Sequence, residues 1–404
     1  MPTALTLVTL FSVATGVAIV TRYLKVPYTV ALVVIGLALG PTHLLHPPQL
    51  TQELLYSFFL PGLLFEAAYH LELGELWRSK LRLFSLALPG VIASMLATAA
   101  LLVAASRAGL AEPLALGGAL VFASIVAATD PIAVVALFKE LGAPRGLRVL
   151  VEGESLLNDG TAIVLYTAAL AMVGKGGLSA WGAVAFFVRV VALGIALGAA
   201  LGWIAALVMR RVEDPMIAIA ATTIAAYGSF AWAERIGGSG VLATVTAGLL
   251  CGSVASARMG LESKKTITSF WDYVAFAFNS IVFLLVGFIV DAPALLRLWR
   301  PISVAYLVIV LTRGAMVFLV ALALHRTREH VPWTWSAILT WGGLRGALSM
   351  VLALALPADF PHRATIVAMT FGVVVLSLLV QGLTISGALR RLGLVAASVD
   401  DRGR

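Results

Sequence analysis

Charge is scarce in this chain. Of its 404 residues only 12% are Asp, Glu, Lys or Arg, about half the share of a typical soluble domain. Hydrophobic residues make up 61%, and the mean hydropathy is +1.01. A soluble core of this length cannot hide so much apolar surface from water, so the chain is a polytopic membrane protein. A single cysteine, Cys251, excludes an intramolecular disulfide and any cysteine-based metal cluster. The six histidines sit near loops or helix ends, and no two share a metal-ligand spacing within a span. No Gly-x-x-x-x-Gly-Lys-Ser/Thr loop is present, so neither ATP drive nor a nucleotide partner is expected. The formal charge of +8 comes from loop residues without an aromatic-interleaved face, which argues against nucleic acid. The N-terminus lacks a basic n-region and reads as a first span, not a cleaved signal.

What remains is helices long enough for a bilayer, about 20 residues each. Taking Pro, Gly and charge clusters as breaks, thirteen passes are expected, at roughly 3–21, 27–42, 51–69, 83–106, 113–138, 149–174, 179–209, 214–233, 238–256, 268–290, 301–324, 334–356 and 364–389. Residues 1–394 then form one transmembrane unit and 395–404 a short cytoplasmic tail. Nineteen of the 28 lysines and arginines fall in the loops after odd-numbered passes or in the C-terminus, six lie on the other side, and Arg189, Arg313 and Arg345 fall within spans. The bias puts the C-terminus in the cytoplasm and the N-terminus outside.

Two passes are interrupted. Pass five carries Ala128-Thr129-Asp130-Pro131, where the proline removes a backbone donor. Pass twelve carries Thr340-Trp341-Gly342-Gly343-Leu344-Arg345-Gly346, three glycines around an arginine. Seven passes separate them, so the two segments run in opposite directions. If passes 1–6 and 8–13 are repeats, their topology is inverted. Broken helices at corresponding positions of inverted halves point to a transporter's binding site.

Ionisable residues in a span are expensive, at least about 2.5–3.5 kcal/mol at the bilayer centre on insertion scales. The chain places Glu66, Asp130, Glu154, Asp159, Arg313 and Arg345 there. The densest cluster is Gly153-Glu154-Ser155-Leu156-Leu157-Asn158-Asp159-Gly160 in pass six. Ser155 and Asp159 are four apart and share a helical face; Glu154 and Asn158 share another, about 100° away. Oxygen ligands of this kind suit a hard cation such as Na⁺, while a carboxylate facing a wet cavity can take a proton. At the first break the Thr129 carbonyl is a possible cation ligand, and Asp130 is placed to neutralise a half-helix N-terminus. Arg345 either does the complementary job or pairs with Glu154. Glu66 reads as a ligand, a cavity gate or a protonated passenger. Asn279 and Arg313 read as helix-bridging groups, and Arg189 as a snorkelling side chain. Ser155 near Asp159 has no histidine near it in sequence, so an intramembrane enzyme is not expected.

The segments Phe59-Leu60-Pro61-Gly62-Leu63-Leu64-Phe65-Glu66, Ala128-Thr129-Asp130-Pro131, Glu152 to Gly160, Phe270-Trp271-Asp272-Tyr273 with Asn279-Ser280, and Trp341 to Ala347 occur in this order. Together they resemble the monovalent cation/proton antiporters of the NhaP and sodium/hydrogen exchanger branch. The resemblance implies an all-α fold of thirteen helices in two inverted six-helix repeats, with broken helices at passes 5 and 12. It also implies a core domain (about 83–174 and 301–389) moving against a dimerisation scaffold (about 1–69 and 179–290), and a homodimer. Cation and proton would compete for Asp159, with Ser155, Glu66 and the Thr129 main chain as the other Na⁺ ligands. Asn158 would hold the site, and Glu154 with Arg345 would tie passes six and twelve together. The electrogenic branch has a second aspartate where this chain has Asn158, so exchange of one Na⁺ or Li⁺ for one H⁺ is implied, with no cofactor. Gly62 stands where the family often has a second proline. The long regulatory tail of animal exchangers is not seen, which favours a prokaryotic member in the plasma membrane. A K⁺/H⁺ antiporter on the same fold is the nearest alternative; a cation channel or membrane sensor is a more distant one.

Overall fold

The oily spans fold as helices because a bilayer offers no partner for backbone N–H and C=O groups. A computed structural model describes residues 3–24, 27–40, 52–173, 179–212, 214–255, 259–290 and 292–395, with no β-strand among them. The expected tail beyond residue 395 and most of the loop between passes two and three lie outside the described residues. In order the helices are α1 (Thr3–Leu24), α2 (Tyr28–Leu39), α3 (52–70), α4 (Leu73–Arg78), α5 (Lys80–Arg107), α6 (Leu116–Ile125), α7 (Ile132–Leu141), α8 (Arg145–Val173) and α9 (Ala180–Arg211). They continue with α10 (Pro215–Arg235), α11 (240–255), α12 (Leu261–Ile289), α13 (Ala292–Arg297), α14 (Trp299–Ala323), α15 (Trp333–Trp341), α16 (Ala347–Leu354) and α17 (Arg363–Arg391). Every expected pass contains helix, and among the described residues seven helices are by themselves long and apolar enough to cross a membrane.

Local chemistry sets several helix ends. Ser179 Oγ accepts from the Gly182 N–H (3.1 Å) at the start of α9, and Ser239 Oγ accepts from the Leu242 N–H (3.2 Å) at the start of α11. Asp214 caps α10, accepting from the Met216 N–H (2.8 Å), with Pro215 at the first helical position. α7 stops at Gly142, whose φ of 66° suits a residue without a Cβ. Wide π turns interrupt α3, α5, α11 and α17, the one in α5 holding Pro89.

The helices sort into two packing groups. In the first, α9 lies on α10 and α11, α11 on α3, and α12 on α2. Glycines let two of these pairs approach closely: Gly202 of α9 faces Ala247, where a Cβ would sit 2.6 Å from the Ala247 Cα, and Gly36 and Gly287 face each other between α2 and α12. In the second group α5 packs on α6 and α14, α14 on α15 and α17, and α16 on α17. Helix α8 packs on α6 but also touches α9 and α11, so it runs between the groups.

Candidate ion-binding site at two crossed helix breaks

Each interrupted pass ends one helix and starts another at depth. The ends leave carbonyls at the C-terminus of α6 and amides at the N-termini of α7 and α16 without intrahelical partners. The protein supplies the partners. Arg345, 3% exposed, donates from Nη1 to the carbonyls of Ala127 (2.8 Å) and Ala128 (3.0 Å) beyond α6. The Asp130 carboxylate accepts from the Ile132 N–H (3.0 Å) at the start of α7 and from the Ala347 N–H at the start of α16. The breaks also touch each other. The Asp130 N–H donates to the Leu344 carbonyl (2.8 Å), and Gly346 lies against the Asp130 side chain with no room for a Cβ. Ser377 of α17 accepts from the Arg345 N–H (3.1 Å). Both charges are therefore spent on helix ends, negative at N-termini and positive at a C-terminus.

Helix α8 lies alongside this crossing. Glu154 and Arg345 do not form the tie implied above. Glu154, 2% exposed, is held bidentately by Arg313 of α14, with Nη1 to Oε1 at 3.1 Å and Nη2 to Oε2 at 3.0 Å. The reason is geometric: the guanidinium of Arg345 is turned to the α6 carbonyls, and Arg313 reaches Glu154 while donating from Nε to the Leu339 carbonyl of α15 (3.0 Å). Arg313 thus joins α8, α14 and the first half of the twelfth pass. Only its position inside a span marked it in the sequence. Arg189, by contrast, lies on the exposed side of α9.

The other polar residues of α8 meet the fifth-pass break. Asn158 donates from Nδ2 to the Ala127 carbonyl (3.0 Å) and to Thr129 Oγ1 (3.1 Å). Ser155 Oγ lies 3.0 Å from the same Thr129 hydroxyl. The two faces of α8 are therefore less separate than their spacing suggested, because the unwound 126–131 segment wraps across both. Asp159 receives the Thr129 N–H, but its Oδ1 is buried with no hydrogen-bond partner. Glu154, Asp130, Arg313 and Arg345 each have a charged or backbone partner; Asp159 has no cation bonded to it among the described residues.

Asp159 borders a cavity of about 330 Å³. Thr129, Asp130, Glu66 and Asn279 line it too, whereas Ser155 does not. The lining continues to His70 at the end of α3, Lys139 at the end of α7 and Glu152 near the start of α8. These ends lie on the side to which the basic loops belong. Glu66 is not in bonding distance of Asp159; its Oε1 is 3.3 Å from His70 Nδ1, and His70 Nε2 is 3.1 Å from Asp272 Oδ1. His70 follows Glu66 by one helical turn, a spacing visible in the sequence once carboxylates are counted beside histidines. Asn279, 8% exposed, keeps an unpartnered Oδ1. The pocket thus offers oxygen ligands and a carboxylate with spare valence to a small cation or a proton.

Two interrupted helices whose breaks touch beside a carboxylate that borders a cavity are the pattern of the discontinuous-helix transporter class. The sodium/hydrogen exchanger transmembrane family matches residues 7–391, and the chain belongs to that family. Among its relatives, the Na⁺/H⁺ antiporter ApNhaP of Aphanothece halophytica is 36% identical over 95% of this chain and 74% of its own length. The Na⁺/H⁺ antiporter NhaH of Halobacillus dabanensis is 34% identical over 96% of this chain and 97% of its own. The fold is similar to that of the sodium proton antiporter MjNhaP1 of Methanocaldococcus jannaschii, with a TM-score of 0.78 at 21% identity, covering 97% of this chain and 98% of that one.

Proposed function

We propose that the protein is a secondary active Na⁺(Li⁺)/H⁺ antiporter in which cation and proton compete for Asp159. One observation carries the proposal: Asp159 alone among the carboxylates at the helix crossing keeps a buried oxygen, Oδ1, without any hydrogen-bond partner, and it borders the cavity. Burying an uncompensated carboxylate is costly, so the site favours whatever neutralises it, and Na⁺ or H⁺ does so equally. Either occupant makes it cheaper to carry the site past the apolar barrier; the empty, charged site is held back. Thr129 and Glu66 border the same space as further ligands, with Ser155 one hydrogen bond behind Thr129. Sodium is favoured over potassium by the similarity to relatives named as Na⁺/H⁺ antiporters.

Several finer readings belong to the same proposal. The second packing group is the moving core and the first the scaffold, through which two copies pair. The amide of Asn158 is occupied by structural bonds, which leaves one titrating carboxylate and a one-for-one, electroneutral exchange. The cavity opens to the cytoplasm of a prokaryotic plasma membrane, with the C-terminus on that side. The protein carries ions and turns over no covalent substrate. The test is exchange in vesicles, read by a pH dye, with Na⁺, Li⁺ and K⁺ in turn. Na⁺ and Li⁺ should drive proton movement in the wild type, and Asp159→Asn should abolish it. Retained Na⁺-driven exchange in that variant, or a response to K⁺ equal to that for Na⁺, would overturn the assignment.

A further inference from the structure

A second group of ligating side chains lies at the edge of the cavity: Glu66 and His70 line it, and Asp272 stands next to His70 outside the lining. His70 stands between two carboxylates, with Glu66 Oε1 3.3 Å from Nδ1 and Asp272 Oδ1 3.1 Å from Nε2. One ligand atom from each of Glu66, His70 and Asp272 lies within 4.8 Å of the others. A neutral imidazole has one N–H and one lone pair, whereas an imidazolium has two N–H donors, so both carboxylates are satisfied at once by either a second proton on His70 or a cation held among the three groups. The Nδ1 atom also lies 2.9 Å from the Glu66 carbonyl oxygen, which competes for its proton. A metal ion and that proton are therefore alternative occupants of the same place.

We propose that Glu66, His70 and Asp272 form a binding site for a divalent first-row transition ion, and that such an ion blocks the cavity. The donor set selects the ion class. An imidazole with two carboxylates suits Zn²⁺ and its neighbours, whereas Mg²⁺ and Ca²⁺ prefer oxygen alone. Zinc sites that keep an open position for water hold the ion by three protein ligands drawn from imidazole, carboxylate and thiolate, two histidines and one glutamate among them; here one histidine stands with two carboxylates. Glu66 and His70 project from one face of α3, a turn apart, and Asp272 comes across from α12. Zn²⁺ holds N and O ligands at about 2.0–2.2 Å, so side-chain rotation alone has to bring the three atoms closer. Asp272 is 58% exposed and free to turn. The charges lining the rest of the mouth are Lys139 and Glu152; with the two site carboxylates the balance is negative and attracts cations. Glu66 would be withdrawn from the transport path, so occupancy and transport oppose each other. This last link rests on the function proposed above; binding itself does not.

The experiment uses tag-free full-length protein in detergent and in vesicles. Zn²⁺ binding is measured directly by competition with a chromophoric chelator, and transport by the pH dye with Zn²⁺ on the side of the cavity mouth. One Zn²⁺ per chain should bind, Mg²⁺ should not displace it, and exchange should fall as the site fills. His70→Ala and Asp272→Asn should each weaken binding and inhibition by about tenfold or more. Asp272→Asn keeps the shape of an exposed side chain, so it reports even if His70→Ala perturbs folding. Absence of stoichiometric Zn²⁺ binding, or binding unchanged in Asp272→Asn, overturns the site. Binding that leaves exchange unaffected overturns the blocking role while the site stands, and loss of exchange in the vesicles without Zn²⁺ would count against the transport reading instead.

Discussion

The Glu154–Arg313 pair gives the sharpest test of how the site is held. Arg313→Met removes the guanidinium and leaves the Glu154 carboxylate in a place where only 3% of its side chain meets solvent. Breaking a buried pair from one side typically costs about 3–5 kcal/mol. Both lost bonds are charge-assisted, at 3.0 and 3.1 Å, and Arg313 also surrenders the Leu339 carbonyl, so a loss within that range is expected. Adding Glu154→Gln removes the stranded charge. The double variant should therefore recover at least about half of the loss, since neutralising both partners is often close to neutral. The matching cycle with Arg345→Met should show a smaller coupling to Glu154 than the Arg313 cycle, because Arg345 spends its hydrogen bonds on the Ala127 and Ala128 carbonyls and meets Glu154 only through space. Thermal or denaturant unfolding in one detergent, monitored by Trp fluorescence, reads all six proteins of the two cycles. A double Glu154/Arg313 variant no more stable than Arg313→Met, or strong coupling of Glu154 to Arg345, would refute the assignment of the pair.

Other outcomes follow from the same geometry. Asn158→Asp removes the donor to the Ala127 carbonyl and Thr129 and sets a carboxylate against a carbonyl oxygen; it should lower stability by about 1–3 kcal/mol and slow exchange, measured by unfolding and by the vesicle assay. Gly346→Ala drives a Cβ into the Asp130 carboxylate and should reduce both folded yield and exchange, whereas alanine at Gly74, with open space around it, should change neither. If cation and proton compete for one carboxylate, the apparent KM for Na⁺ should rise as pH falls, approaching about tenfold per unit once the proton dominates, while the maximal rate at saturating Na⁺ holds; this is mass-action linkage. A fall in maximal rate with constant KM would point to a separate proton site.

Much of the site was legible because it breaks rules of its surroundings. Carboxylates, prolines and clustered glycines are costly in an oily helix, so Thr129-Asp130-Pro131, Gly342 to Gly346 and Glu154 to Asp159 each stand out. Their spacing also tells which passes are interrupted. What spacing misjudged was the environment of individual groups. Ser155 and Asp159 share a helical face by periodicity, yet the unwound segment at Thr129 covers Ser155 and leaves Asp159 at the cavity. The pairing of His70 with Asp272 was not legible, because the two lie on different helices and nothing in a linear sequence joins residue 70 to residue 272.

By itself, the sequence determined the class and the cast. Hydrocarbon excludes unpaired polar groups so strictly that composition and hydrophobic runs decide a helical membrane protein, and the few charges allowed inside must serve a purpose. The pairing of those charges was decided only in three dimensions. Of the three in-span arginines, Arg313 and Arg345 lie near Glu154 in space though 159 and 191 residues away along the chain, and the choice of Arg313 depends on where the crossed breaks turn Arg345. The same crossing spends Asp130 and Arg345 on helix ends and leaves Asp159 Oδ1 without a partner beside the cavity. Chain order carries no record of that allocation, because electrostatic partners are set by distances across helices and not along them.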